Sequence, residues 1–141
     1  MLQRSVEVSP WDALALIAPD AALHRHGKRK AMLQVVGSGL VGWHDEVGLV
    51  AVVGLYSLPH GGAEVWLAGH ADRTRPHLRQ IARETRLTLA ALAQSGIQPI
   101  LAHVHRSHAP GRRLALLVGM SRVFGETSAA PDFDCYMFGG P

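Results

Sequence analysis

The stretch Ala63 to Val104, AEVWLAGHADRTRPHLRQIARETRLTLAALAQSGIQPILAHV, decides the architecture. Ala63-Glu64-Val65-Trp66-Leu67-Ala68 follows the turn Pro59-His60-Gly61-Gly62 and reads as a strand. From Pro76 to Ser95, the residues Leu78, Ile81, Thr85, Leu89 and Leu92 recur at spacings of three and four, the buried stripe of a helix. Arg79, Arg83 and Arg86 fall on another face, and Gly96 supplies the C-terminal stop. Ile97 to Val104 then reads as a buried strand.

Working outward, Leu49 to Leu58 and Leu40 to His44 are β-rich runs separated by the turn Asp45-Glu46-Val47-Gly48. With the strand from Ala63 they form a three-stranded meander. Leu2 to Val8 alternates weakly and reads as a first strand. Ser9 as cap and Pro10 at the first helical position open a helical region that runs through Leu16 and Ala21 towards Met32, broken near Pro19. His24 to Lys30 is a basic run, read as a solvated face or loop, or as a phosphate contact. Downstream, a helix spans about Ala109 to Val118, opened by Pro110 and closed by Gly119. Val123 to Glu126 and Asp134 to Phe138 read as two last strands. Antiparallel strands followed by strand, helix, strand, helix imply a single α/β domain: a mixed, mostly antiparallel sheet flanked by helices on both faces.

Composition bounds the function. The 141 residues, 48% apolar and 18% charged, belong to a packed globular chain and exclude intrinsic disorder. No repeat or linker divides them, so one domain over residues 1–141 is expected. The one cysteine, Cys135, excludes an internal disulfide and a multi-cysteine zinc site. Beside Asp134 it is a poor nucleophile, because the neighbouring carboxylate raises a thiol pKa. The longest apolar run, the 12 residues from Val47 to Leu58, is too short to span a bilayer, and the N-terminus lacks signal-peptide order. A soluble protein is expected. The formal charge is +3, and twelve of the fourteen basic residues are arginine, suited to phosphate and carboxylate contacts. That charge is modest for a nucleic-acid binder.

The element order resembles that of the GNAT acyltransferases. Trp66-Leu67-Ala68-Gly69, the Arg-rich helix and Leu101 to Val104 resemble the acyl-CoA-binding core of that family. His108 occupies a place where many members carry asparagine, and Gly119-Met120 stands eleven residues further, where they carry Gly-Phe. Leu40 to Phe138 is covered by the likeness, which is greatest to the small GNAT-like proteins of short-tailed phages. It implies acetyl-CoA as cofactor, an amine as acceptor, and a cleft where the strand ending at Ala68 splays from the strand ending at Val104. Ala68, Arg73, Arg75 and Arg79 would meet the cofactor.

The sequence departs from that family in two places. Gly69 to His77 contains no glycine after Gly69, where the family holds pyrophosphate on backbone N–H groups, so Arg73, Arg75 and Arg79 would substitute side-chain contacts. Otherwise the segment is a basic turn that binds nothing. Ala115 stands where the family often has its tyrosine acid. His108 could donate the proton instead, or simply lead into its helix. Glu64 could serve as base, or be an edge or surface carboxylate.

Other constellations are weaker. His103 and His105 share a strand face and, with His108, suggest a zinc triad, but no carboxylate lies close in that segment. Trp11, Trp43 and Trp66 are too evenly spread for a stacking platform and read as core or interface residues. Gly37-Ser38-Gly39 lacks the Lys-Ser/Thr of a phosphate loop. Two functions remain. One is an N-acyltransferase of the cytoplasm. The other is a catalytically silent phage protein that acts as a binding or virion-assembly module on a protein partner. A homodimer through the final strands suits either, since an exposed edge invites pairing.

Overall fold

The computed structural model describes residues 2–17, 35, 37–59, 61–123 and 132–139. Among these, seven strands form one sheet: β1 (Gln3–Ser5), β2 (Ser38–His44), β3 (Leu49–Ser57), β4 (Ala63–Gly69), β5 (Ile100–His105), β6 (Met120–Arg122) and β7 (Phe133–Phe138). Their order across the sheet is β1-β2-β3-β4-β5-β7-β6, antiparallel at every junction except the parallel β4–β5. The helices whose bounds lie among the described residues are α1 (Pro10–Ile17), α2 (Ala71–Thr74), α3 (Leu78–Gln94) and α4 (Ala109–Leu117), with a 3-10 turn at Arg75–His77 between α2 and α3. The expected mixed sheet with helices on both faces is therefore the architecture observed.

Side-chain alternation sorts the core into two layers. Val65 and Leu67 of β4 pack with Ile100, Ala102, Ile81 and Leu89 on the α3 and α4 face. Trp66 and Ala68 point the other way and pack with Ala13 and Ile17 of α1. The helical stripe read from sequence is the seam: Ile81, Thr85 and Leu89 are buried, and each large aliphatic there contributes about 1.5–3 kcal/mol. Two glycines admit close packing. A Cβ on Gly54 would lie 2.2 Å from the ring of Trp66. Gly62, at φ +77, lies so close to Pro99 that a Cβ would fall 2.3 Å from its carbonyl oxygen.

Several expected boundaries shift. The helix expected from Pro76 begins at Leu78, because His77 and Pro76 belong to the 3-10 turn. Strand β5 starts at Ile100 and not Ile97, since Pro99 offers no N–H to a ladder. The first strand is only Gln3–Ser5. The penultimate strand is Met120–Arg122, directly after the helix stop at Gly119, and not Val123 to Glu126; positions 124–126 lie outside the described residues. The helical continuation past Ile17, the basic run His24 to Lys30 and His60 also lie outside them. Trp43 and Trp66 are core residues, whereas Trp11 is 74% exposed and belongs to no core.

Candidate active site at the parting of two strands

The site is made by the start of β4. The backbone N–H of Ala63 donates to Pro99 O at 2.9 Å, which seats β4 beside the beginning of β5. Parallel pairing then lasts for two positions, Ala63 with Ile100 and Glu64 with Leu101. Beyond them β4 runs on to Gly69 and β5 to His105 with no further register between them. The two strands part.

At the apex of this split Glu64 Oε1 and His103 Nδ1 are 2.9 Å apart. Their side chains are 4% and 12% exposed, so the pair is screened from bulk water without being sealed. The register explains the meeting. Glu64 faces the same way as its neighbour Leu101, and His103, two residues further along β5, shares that face. A carboxylate in this place favours the tautomer that carries its proton on Nδ1, which would leave Nε2 as the ring atom for other chemistry. Directly across from His103 stands Cys135 of β7, and across from His105 stands Phe133. His105 meets the Phe133 ring edge-on, at 5.1 Å between centroids, and its Nδ1 lies 2.7 Å from Ser107 Oγ.

The expected site residues separate into groups. Glu64 is buried, which overturns its reading as a surface carboxylate. Ala68 is buried beside Trp66. His108 takes the N-cap position of α4 without a side-chain capping bond, and its ring packs so near Gly111 that a Cβ there would lie 2.5 Å from Nδ1. After Gly69 ends β4, the segment from Ala71 to His77 is helical, α2 running into the 3-10 turn. His70 caps it by accepting the Arg73 N–H on Nδ1 at 3.3 Å, and Thr74 Oγ1 donates to His70 O at 2.8 Å.

Arg73 turns back from this segment to the β2–β3 hairpin. Its Nε donates to Asp45 Oδ2 at 3.2 Å, its Nη2 to Asp45 Oδ1, and its Nη2 also to Gly48 O at 3.3 Å. The Arg73 hydrogen bond holds the Asp45 carboxyl down at about 2, helped by the Val47 and Gly48 amides and opposed by desolvation. Arg75 and Arg79, by contrast, are exposed. The histidine triad read from sequence is not assembled either. His103 bonds to a carboxylate from a neighbouring strand, and among the described residues no three His, Cys, Asp or Glu side chains cluster as metal ligands.

No family model and no curated protein matches the chain. Solved structures do. An acetyltransferase from Agrobacterium tumefaciens superposes with a TM-score of 0.71 at 12% identity, over 99% of this chain and 91% of that one. A Bacillus subtilis acetyltransferase in complex with CoA gives 0.66 at 12% identity, over 97% and 96%. A GNAT-family acetyltransferase from Bacillus anthracis gives 0.63 at 15%, over 96% and 92%. The chain has the GNAT fold. At these identities the likeness concerns the backbone, and the GNAT fold here carries its own set of side chains.

His103 was weighed from sequence only as a zinc ligand, and its pairing with Glu64 is what sequence reasoning missed. A signal existed in Leu101-Ala102-His103-Val104-His105, where histidine recurs at every second place of an otherwise apolar strand. What it lacked was the β4–β5 register, which joins residues 39 positions apart.

Proposed function

We propose that the protein is an N-acyltransferase that moves an acetyl group from acetyl-CoA to an amine. One observation carries this reading: the parallel pairing of β4 and β5 stops at Glu64 and Leu101, with a buried carboxylate–imidazole pair at the apex. The facing edges of two parted strands offer backbone N–H and C=O groups that an amide-containing chain can pair with, which suits the pantetheine arm. The CoA complex of the Bacillus subtilis neighbour supports the same cofactor. Acetyl-CoA supplies the activated thioester.

The chain's own residues hold and deprotonate. Ala68, small and on the lip of the split, leaves room for the cofactor. Arg75 and Arg79, exposed on the 3-10 turn and the first turn of α3, contact the pyrophosphate, with Arg73 bracing their segment against the hairpin. Glu64 serves the base side of the reaction, and His108, at the head of α4, the acid side.

A second reading has an observation of its own. Arg73 is already bonded, and an open apolar depression of about 500 Å³ lies elsewhere, between Arg4 of β1 and Leu87, Thr88, Ala91 and Leu92 of α3. Both features suit a silent GNAT-fold module of a phage particle that docks a protein partner. Strand β6 ends the sheet and offers the edge for a homodimer in either case.

Calorimetry with acetyl-CoA separates the two. The acyltransferase binds it, and Arg75→Ala with Arg79→Ala weakens binding about 10- to 100-fold through lost charge-assisted contacts. No heat at about millimolar ligand, where binding free energy falls to about 4 kcal/mol, leaves the module reading.

A further inference from the structure

We infer that the proton acceptor at this site is His103 Nε2, and that Glu64 is a positioning residue which fixes the imidazole tautomer. The inference rests on the acyltransferase reading and changes which atom does the chemistry. Glu64 is 4% exposed and its Oε1 is committed to His103 Nδ1 at 2.9 Å, so an incoming amine meets the imidazole, which is three times as exposed, before the carboxylate. His103 also stands two residues beyond the last paired position, on the wall of the split and not in its floor.

Nδ1–H bonded to a buried carboxylate leaves the other ring lone pair, on Nε2, facing away from the pair and available to a substrate proton. In the transfer, the amine nitrogen bonds to the thioester carbonyl carbon and loses a proton to Nε2. The C–S bond breaks with its electron pair on sulfur. His108, the acid at the head of α4, gives the thiolate a proton, so CoA leaves as the thiol; His103 then loses its proton and His108 regains one by exchange with water. Glu64 neither gains nor loses a proton over the cycle; it stabilises the imidazolium while it exists.

Among the described residues, three titratable groups on the strands beside the ring matter. Glu64 faces it from β4, Cys135 from β7 in direct register, and His105 follows on β5 itself. Of these only Glu64 bonds to Nδ1. The tautomer of His103 should therefore respond to Glu64→Gln far more than to Cys135→Ser.

The test uses the intact protein and needs no knowledge of the acceptor amine. Imidazole ¹⁵N NMR reads the tautomer, and carbethoxylation by diethyl pyrocarbonate, followed at His103 by peptide mass spectrometry, reads the nucleophilicity of Nε2. Expected are an Nδ1–H tautomer at neutral pH, weakened in Glu64→Gln, and carbethoxylation of His103 that saturating acetyl-CoA slows about tenfold or more, the mark of a group covered on binding. The isosteric Glu64→Gln keeps the fold, and wild type alone yields the tautomer and protection results. An Nε2–H tautomer overturns the inference, as does carbethoxylation at His103 that bound acetyl-CoA leaves unchanged. If calorimetry shows no acetyl-CoA binding, the acyltransferase reading itself fails and the inference goes with it, whatever the tautomer.

Discussion

A carboxylate pairs with a basic side chain at the start of strand β4 and another does so just past its end, and the two pairs differ in burial and in partner. At its start, Glu64 meets His103 across two neighbouring strands with side chains 4% and 12% exposed. Just past its end, Arg73 meets Asp45 of the β2–β3 turn with side chains 28% and 18% exposed. Solvent decides what each is worth. An exposed pair gains little, because water screens the attraction and long side chains lose freedom to form it. A buried pair is no better than apolar packing overall, yet removing one partner strands a charge that water cannot reach. The first pair is thus a hinge for chemistry and the second a clasp for a surface turn.

The largest effect should come from breaking the buried pair on one side. His103→Leu keeps bulk and takes the imidazole partner from a buried carboxylate, and urea unfolding should show a loss of up to about 3 kcal/mol. Glu64→Leu combined with His103→Leu should regain much of that, because two apolar side chains replace the pair. A double variant no more stable than the single one would mean that the site is wetter than its burial implies and would erase the contrast.

The packing beside the pair can be sharpened next. Trp66 lies on the same face of β4 as Glu64, against Gly54, with its indole N–H donating to Ser38 Oγ at 3.0 Å. Gly54→Ala drives a methyl to 2.2 Å from that ring and must displace it, at about 1–3 kcal/mol. Unfolding midpoint and tryptophan emission should shift together. A silent substitution would mean that this layer yields easily, and that His103 is held by its hydrogen bond alone.

A third polar group calibrates the other two. Thr85 sits on the buried face of α3, and its hydroxyl has no hydrogen-bond partner among the described residues. Thr85→Val removes the uncompensated hydroxyl at constant shape and should raise stability by up to about 1 kcal/mol. A loss of similar size would indicate a partner for Oγ1 and weaken the claim that Glu64 and His103 are special in being satisfied.

These regions were not equally legible in the sequence. The stripe from Leu78 to Leu92 and the turns at Asp45 and Gly62 are local patterns, and local patterns delivered the element order and the GNAT-like architecture. The segment from His70 to His77 carries no apolar period, so its helical turn was invisible; a histidine cap and a threonine back-bond make it. Arg73 read as a free cation for the same reason, since its partner lies 28 residues earlier. Glu64 was found by residue type, but its burial and its bond to His103 depend on strand register, which no window of neighbouring residues contains.

The smallest effect belongs to the half-buried clasp, and its sign is fixed by the Asp45 carboxyl. The Arg73 hydrogen bond lowers its pKa from 3.8 to about 2, so the folded protein holds this proton less tightly than the unfolded chain. The stabilisation is then fully present above about pH 4 and is lost as the pH falls from 3.8 towards about 2. Arg73→Ala should therefore lower the urea midpoint slightly near neutral pH, and the difference from wild type should close through that acidic window. About 1 M salt should close it too, by screening. A gap that persisted unchanged in acid would assign Arg73's contribution to its bond with the Gly48 carbonyl, which does not titrate, and the two ends of β4 would then differ in kind and not merely in exposure.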